Sequence, residues 1–232
     1  MALDEKIFRV RAVTAVFFVL VMLSGLLINW WSFTILFYLI MFGCLVEFYR
    51  ILKILKPHNN SYFLIFSFIY IVIPIELMVD LGSSGYFFHL RVLPIKYTPL
   101  IPCTIIFSIW INDTMAYLVG SFIGKTPFSP ISPKKTWEGT IGGGIICILI
   151  MGLLGYLLPA AHLLPLRHWI GIAVICAVFA PIGDLLESKL KRMAGLKDSG
   201  SFMPGHGGFL DRFDSLLISL PFVWLYAEFF IS

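Results

Sequence analysis

The feature that most constrains this chain is a recurrence of apolar runs about 20 residues long, the length a helix needs to cross a hydrocarbon core about 30 Å thick. Seven such runs lie near 12–31, 32–49, 61–81, 99–120, 139–159, 167–187 and 213–231. A soluble domain could not carry them. Only 13% of the 232 residues are charged, whereas a water-exposed surface calls for about a quarter. The expected fold is therefore all-α: a polytopic integral membrane bundle of about seven transmembrane helices. The first two runs have no charged residue between them and are expected to form a tight helical hairpin.

Basic residues supply an independent test of this layout. With the N-terminus in the cytoplasm, one side holds Lys6, Arg9, Arg11, Arg50, Lys53, Lys56, Lys125, Lys134, Lys135, Lys189, Lys191, Arg192, Lys197 and Arg212. The other side holds Arg91, Lys96 and Arg167. Such a bias orients a membrane protein with its basic loops inside, and it accounts for the net charge of +4 without nucleic acid as a partner. Cys44, Cys103, Cys147 and Cys176 all sit in apolar stretches with no C-x-x-C pair, which points to buried thiols and away from zinc or disulfides. Trp30 and Trp31 stand where a leader peptide would have small residues, so the first run reads as a span. Residues 1–98 read as scaffold helices and 99–232 as the region that carries the chemistry.

Acidic groups are costly in lipid and mark functional positions; the reading places them in the fourth and sixth spans. Asp113, Ala116, Tyr117, Gly120 and Gly124 share one small, polar helix face. In the sixth, Asp184, Glu187, Ser188 and Lys191 fall at i, i+3, i+4 and i+7. The loop that follows runs Lys197-Asp198-Ser199-Gly200, then Pro204-Gly205-His206-Gly207-Gly208, and leads to Asp211, Arg212 and Asp214. Glycines there let backbone N–H groups approach an anion. Carboxylates beside lysines and arginines suit a phosphate held through magnesium, the acids binding the cation and the bases the oxygens.

Each group also has a plainer reading. Asp211 and Asp214 suit a helix N-terminus without any ligand. Asp184 could be the ion-pair partner of Lys191, His206 a turn residue, and Asp113 a packing group in a polar interior. The basic run Lys189, Lys191, Arg192 also serves as a topology anchor.

The stretch Ser188-x-Leu190-Lys191-Arg192-x4-Lys197-Asp198-x-Gly200-x3-Pro204-x-His206-Gly207-Gly208-Phe209-x-Asp211-Arg212-Phe213-Asp214 resembles the signature of phosphatidate cytidylyltransferases, also called CDP-diacylglycerol synthases. Met203 replaces the usual Leu, Ile or Phe. A second similar stretch holds Asp113-x2-Ala116-Tyr117-x2-Gly120-x3-Gly124-Lys125 and Ser132-Pro133-Lys134-Lys135-Thr136-Trp137-Glu138-Gly139. With Gly183-Asp184-x2-Glu187 the resemblance spans roughly residues 105–220.

The resemblance implies the reaction CTP + phosphatidate → CDP-diacylglycerol + pyrophosphate, in a homodimer that uses Mg²⁺, a second cation being left open. The short chain without a targeting extension points to a bacterial cytoplasmic (inner) membrane, and the basic residues put the site on its cytoplasmic face. Asp184, Asp211 and Asp214 are the implied metal ligands, and Asp198 and Lys191 join them as catalytic candidates. Ser188, Arg192, Lys197, His206, Gly207, Gly208 and Arg212 are substrate-binding candidates. Lys134, Lys135 and Thr136 would form the opposite wall, with Asp113 orienting it. The chemistry of the residues agrees: a lipid phosphate is already an anion and needs no strong general base, so positioning and charge neutralisation dominate.

Rival readings differ in testable ways. A CDP-alcohol phosphatidyltransferase requires a D-G-x2-A-R half that is absent here. A CTP-dependent polyprenol kinase would release CDP in place of pyrophosphate. A cation transporter would place its acids near the bilayer midplane on broken helices, whereas here they gather toward one face.

Overall fold

The computed structural model describes residues 5–55, 60–83, 97–202 and 207–231, the side chains of 5–8, 10, 11 and 60–62 aside. Helix α1 (Glu5–Leu27) and α2 (Trp30–Leu55) form the expected hairpin. Their break comes at Asn29, earlier than the apolar pattern suggests. Asn29 Oδ1 accepts from the Ser32 amide at 2.9 Å, and Ser32 Oγ accepts from the Asn29 amide at 3.1 Å. This reciprocal cap satisfies donors at the start of α2 that would otherwise be orphaned.

The third pass is composite: α3 (Asn60–Ser67), a π-helical turn at Phe68–Val72, and α4 (Ile73–Gly82). Pro74 lacks an N–H to offer the carbonyl four residues back, so the ladder widens there, and the Ile73 amide bonds to the Phe68 carbonyl. Then follow α5 (Leu100–Ile123), a hairpin of β1 (Pro127–Ser129) and β2 (Ser132–Thr136), α6 (Trp137–Leu157), α7 (Leu166–Met193) and α8 (Leu210–Phe230). The hairpin is a short two-stranded sheet set within an otherwise helical fold. Pro127, Pro130 and Pro133 deny this segment a helix, and it pairs Pro127 with Thr136 and Ser129 with Ser132.

Among the described residues six helical passes are long and apolar enough to cross a membrane, and Ala12–Leu27 adds a shorter apolar stretch. The protein is an all-α polytopic membrane protein. Its four cysteines are free and buried.

The bundle centre is built from Phe33 and Phe37 of α2, Ile75 and Met78 of α4, Ile105 of α5, and Leu217 and Leu220 of α8, each at most 0% exposed. Helices α5 and α6 approach backbone to backbone, because a side chain at Gly143 would strike the Ala116 main chain. Close small-residue contact of this kind drives association where lipid offers no hydrophobic gain.

The passes alternate, and their ends gather into two groups. At one end the Thr98 amide reaches the Gly82 carbonyl at 3.1 Å, the Tyr97 hydroxyl reaches the Leu26 carbonyl, and His168 Nδ1 meets the Tyr226 hydroxyl at 3.1 Å. At the other end meet the last turns of α2, α5 and α7, the β-hairpin, and the first turns of α6 and α8. The chemistry-bearing residues lie at this second end.

Candidate active site

A cavity of about 880 Å³ opens between α1, α5, β2, α6, α7 and α8. Its polar wall carries Asn112, Asp113, Lys134, Lys135, Thr136, Asp184, Asp211, Arg212 and Asp214. Its apolar wall carries Phe18 and Val19 of α1 with Ile109 and Trp110 of α5. Eight residues chosen from sequence therefore share one chamber, with hydrocarbon on one side of it.

Helix α7 supplies Asp184 and α8 supplies Asp214 because the two cross closely. A Cβ at Gly183 would collide with the Asp214 carbonyl, and Ser215 Oγ donates to the Ala180 carbonyl at 3.1 Å. Asp184 is ion-paired with Lys135 of the hairpin, and its Oδ1 accepts from Ser188 Oγ at 3.1 Å. Asp184 thus has a partner, but Lys135 of the opposite wall takes the place foreseen for Lys191. Asp214 is buried, and its Oδ1 accepts from the Ser215 amide at 2.6 Å. Asp113, Asp184 and Asp214 are close enough to feel one another's charge, with Lys135 among them. Asn112, buried beside Asp113, has an amide with no hydrogen-bond partner among the described residues.

Asp211 sits differently. Its Oδ2 accepts from the Ser199 amide at 2.9 Å, Ser199 Oγ at 2.9 Å and the Gly208 amide at 2.8 Å. Its Oδ1 accepts from Lys191 Nζ at 2.5 Å. Lys191 also pairs with Glu187, which is fully buried. The glycine turn therefore does wrap an anion, and that anion is the Asp211 carboxylate. Gly207 holds φ at +85°, a conformation that glycine tolerates and other residues rarely adopt.

Several other sequence choices stand outside the chamber. Arg192 Nη1 donates to the Leu196 carbonyl at 3.0 Å, closing the end of α7. There Gly195 at φ +70° lets the Leu196 amide reach the Lys191 carbonyl at 2.8 Å and the Gly195 amide reach Arg192 at 3.1 Å, the double bond of a Schellman cap. Lys197 and Asp198 are exposed and do not line the cavity. His206 lies outside the described residues. Thr136 lines the cavity, and its Oγ1 caps α6 by accepting from the Gly139 amide at 3.1 Å. Glu138 binds the Lys125 and Thr126 amides at 3.2 Å and so ties the hairpin's start to α6.

The span reading passed over Glu47 of α2 and Asp80 of α4, both buried. The signal for them was the same one used elsewhere, an acid inside an apolar run. Ser199 also escaped notice, since a loop serine has no pattern of its own.

Among the described residues no three acidic, His or Cys side chains form a ready cage for a metal. Magnesium is usually held by one or two carboxylates together with waters and substrate phosphates. Asp184 and Asp214 on the chamber wall, with Asp113 nearby, are hard oxygen donors that fit an ion arriving with a nucleotide.

Residues 63–230 match the profile of the cytidylyltransferase family. A phosphatidate cytidylyltransferase of Bacillus subtilis is 43% identical over 123 residues, which cover 53% of this chain and 45% of that protein. Those of Staphylococcus aureus (strain COL) and Staphylococcus saprophyticus are 47% identical over 120 residues and 46% over 114, each covering 49% of this chain and 43% of the relative. The matched part thus spans less than half the length of these relatives. With its profile match running from the third pass to the end of α8, the chain belongs to the cytidylyltransferase family.

Proposed function

We propose that this chain transfers a cytidylyl group from CTP to phosphatidate, giving CDP-diacylglycerol and pyrophosphate, at the cytoplasmic face of a bacterial inner membrane. The observation that carries the reading is the two-sided chamber: carboxylates and lysines face one another across it, and an apolar wall adjoins them. A lipid phosphate with its tails in hydrocarbon and a triphosphate from water need such a site. The names of the bacterial relatives support the same substrates, and the gathering of basic residues at the site end supports the orientation.

In this reading Lys134, Lys135 and Arg212 bind the triphosphate oxygens. Lys135 leaves Asp184 for the nucleotide, which uncovers that carboxylate. Asp184 and Asp214 would hold Mg²⁺, with Asp211 at their side, and a cation there would supply neutralisation of phosphate charge. A phosphatidate oxygen forms a bond to the α-phosphorus of CTP while the α–β bridging bond breaks, and the electron pair leaves with pyrophosphate. No side chain has to remove a proton, because the attacking lipid phosphate is already an anion. Asp113 would orient Lys135, and Phe18, Val19, Ile109 and Trp110 would face the glycerol and upper acyl carbons. Self-association as a homodimer belongs to the same proposal and is checked by cross-linking in native membranes.

The test is incorporation of label from α-³²P-CTP into chloroform-soluble product by purified protein with phosphatidate and Mg²⁺, with pyrophosphate measured in parallel. Lipid label matched by pyrophosphate, and lost in Asp184→Asn, is the expected result. CDP in place of pyrophosphate, or no label in lipid from a folded protein that binds CTP, would overturn it.

A further inference from the structure

Helix α8 begins without a cap of its own, since Phe209 at its N-cap position has no side chain able to accept a hydrogen bond. The first amides of a helix are left unsatisfied unless something accepts from them. Here the acceptor comes from another helix, far away in sequence. Glu47, in the C-terminal half of α2, accepts from the Phe209 amide at 3.0 Å and the Leu210 amide at 2.9 Å. It also accepts from Ser199 Oγ at 2.7 Å. A carboxylate only 4% exposed is tolerable in an apolar span only with such partners.

The surroundings are shaped for this carboxylate. A Cβ at Gly200 or at Gly208 would collide with it, and one turn earlier a Cβ at Gly43 would collide with the Phe209 ring. Two glycines of the loop signature thus make room for Glu47, a residue outside the stretch that matches the family profile. Ser199 joins the two acids: its hydroxyl lies 2.7 Å from Glu47 and 2.9 Å from Asp211 Oδ2, and its amide donates to Asp211 at 2.9 Å. The hydroxyl has one proton, so the two carboxylates compete for it.

We infer that Glu47 is a positioning residue of the active site: it clamps Ser199 to the first turn of α8 and, through Ser199, sets the Asp211 carboxylate in the chamber wall. It touches no substrate. The effect on turnover rests on the activity proposed above, whereas the clamp itself does not.

The test therefore has two arms, run on the full chain in detergent with Glu47→Gln, Ser199→Ala and the double variant. Glu47→Gln keeps the shape but turns one acceptor into a donor that faces backbone donors. Hydrogen–deuterium exchange should lose protection at Phe209 and Leu210 and also at Ser199 and Gly208, whose amides serve Asp211. In the kinetic arm kcat should fall by about tenfold to a hundredfold, the scale of a small misplacement at a reacting centre, with KM for CTP changed by less than about threefold. The double variant should be no worse than the poorer single, since residues acting through one network are non-additive. Exchange altered only at Phe209 and Leu210, a kcat within about twofold of wild type, or additive losses would overturn the inference. If wild-type protein makes no CDP-lipid, the proposed function fails, and the exchange arm still decides the clamp.

Discussion

The N-terminal passes, α1 to α4, and the C-terminal passes, α5 to α8, both carry acids in an apolar bundle, but the acids are used in opposite ways. In the C-terminal set Asp113, Asp184 and Asp214 face the chamber, and their neighbouring cation Lys135 comes from a loop across it. In the N-terminal set the two buried acids, Glu47 and Asp80, turn toward α8. Glu47 holds its first amides, and Asp80 accepts from Trp224 Nε1 at 2.6 Å toward its far end. One half of the molecule thus turns carboxylates to the chamber, and the other uses them to fix the helix that bears Asp211 and Asp214. Acidity within a span marks a position as consequential, but only its partners tell which use it has.

The comparison is tested most severely at Asp211, which belongs to both groups. It lines the chamber, yet four donors hold it. Asp211→Asn should therefore abolish turnover and also destabilise the fold, since it strips Lys191 of a buried partner; removing one member of such a pair costs about 3–5 kcal/mol. A thermal midpoint unchanged from wild type would show that the clamp is idle. Asp184→Asn is the contrasting case. Turnover should drop on the order of 100- to 1000-fold, as when one electrostatic contact to a developing charge is lost, while the melting transition stays in place. Asp184 is only part-buried, and its partner Lys135 can turn to water.

A smaller effect is expected across the chamber. Lys135→Gln removes the charge that faces Asp184 and, in the proposed reaction, the triphosphate. KM for CTP should rise by about tenfold, the scale of one hydrogen bond to a charged group, with kcat less affected. A fall in kcat with KM unchanged would move Lys135 from nucleotide binding to the transfer step itself.

How far the sequence carries these distinctions follows from the kind of signal each feature has. The passes were legible because apolar length is a property of a contiguous run. Asp113, Asp184 and Asp214 were legible because acids in or beside such runs stand out and helix spacing puts each on a face, whereas Lys135 entered only through the resemblance of its loop to the family's stretch. The hairpin Pro127–Thr136 and the early break at Asn29 were not, since both depend on local hydrogen bonds among prolines, serines and asparagine within a short loop. Nor did spacing reveal that Asp184 pairs with Lys135: that contact joins α7 to β2 through the tertiary fold, whereas Lys191 was the neighbour within reach on the same helix. Glu47 is the clearest example. Its partners are 152, 162 and 163 residues away, and two of them are backbone amides, which leave no trace in residue type.

The least disruptive test falls on the far end of the same scaffold. Asp80 is buried in α4, and its bond to Trp224 lies at the end of α8 away from the chamber. If the N-terminal acids serve to hold α8, Asp80→Ala should lower the unfolding free energy by about 1–3 kcal/mol, the cost of leaving a buried donor without its acceptor. Asp80→Asn should cost less, because an amide oxygen can still accept from the indole. Neither should alter KM for CTP or the exchange of the Ser199 and Gly208 amides, for the pinned point on α8 is more than two turns beyond Asp214. A kinetic defect in Asp80→Asn as large as that of Glu47→Gln would mean that α8 transmits displacement along its whole length. The two acids would then act as one restraint on a rigid rod, in place of two clamps of which one guards the site.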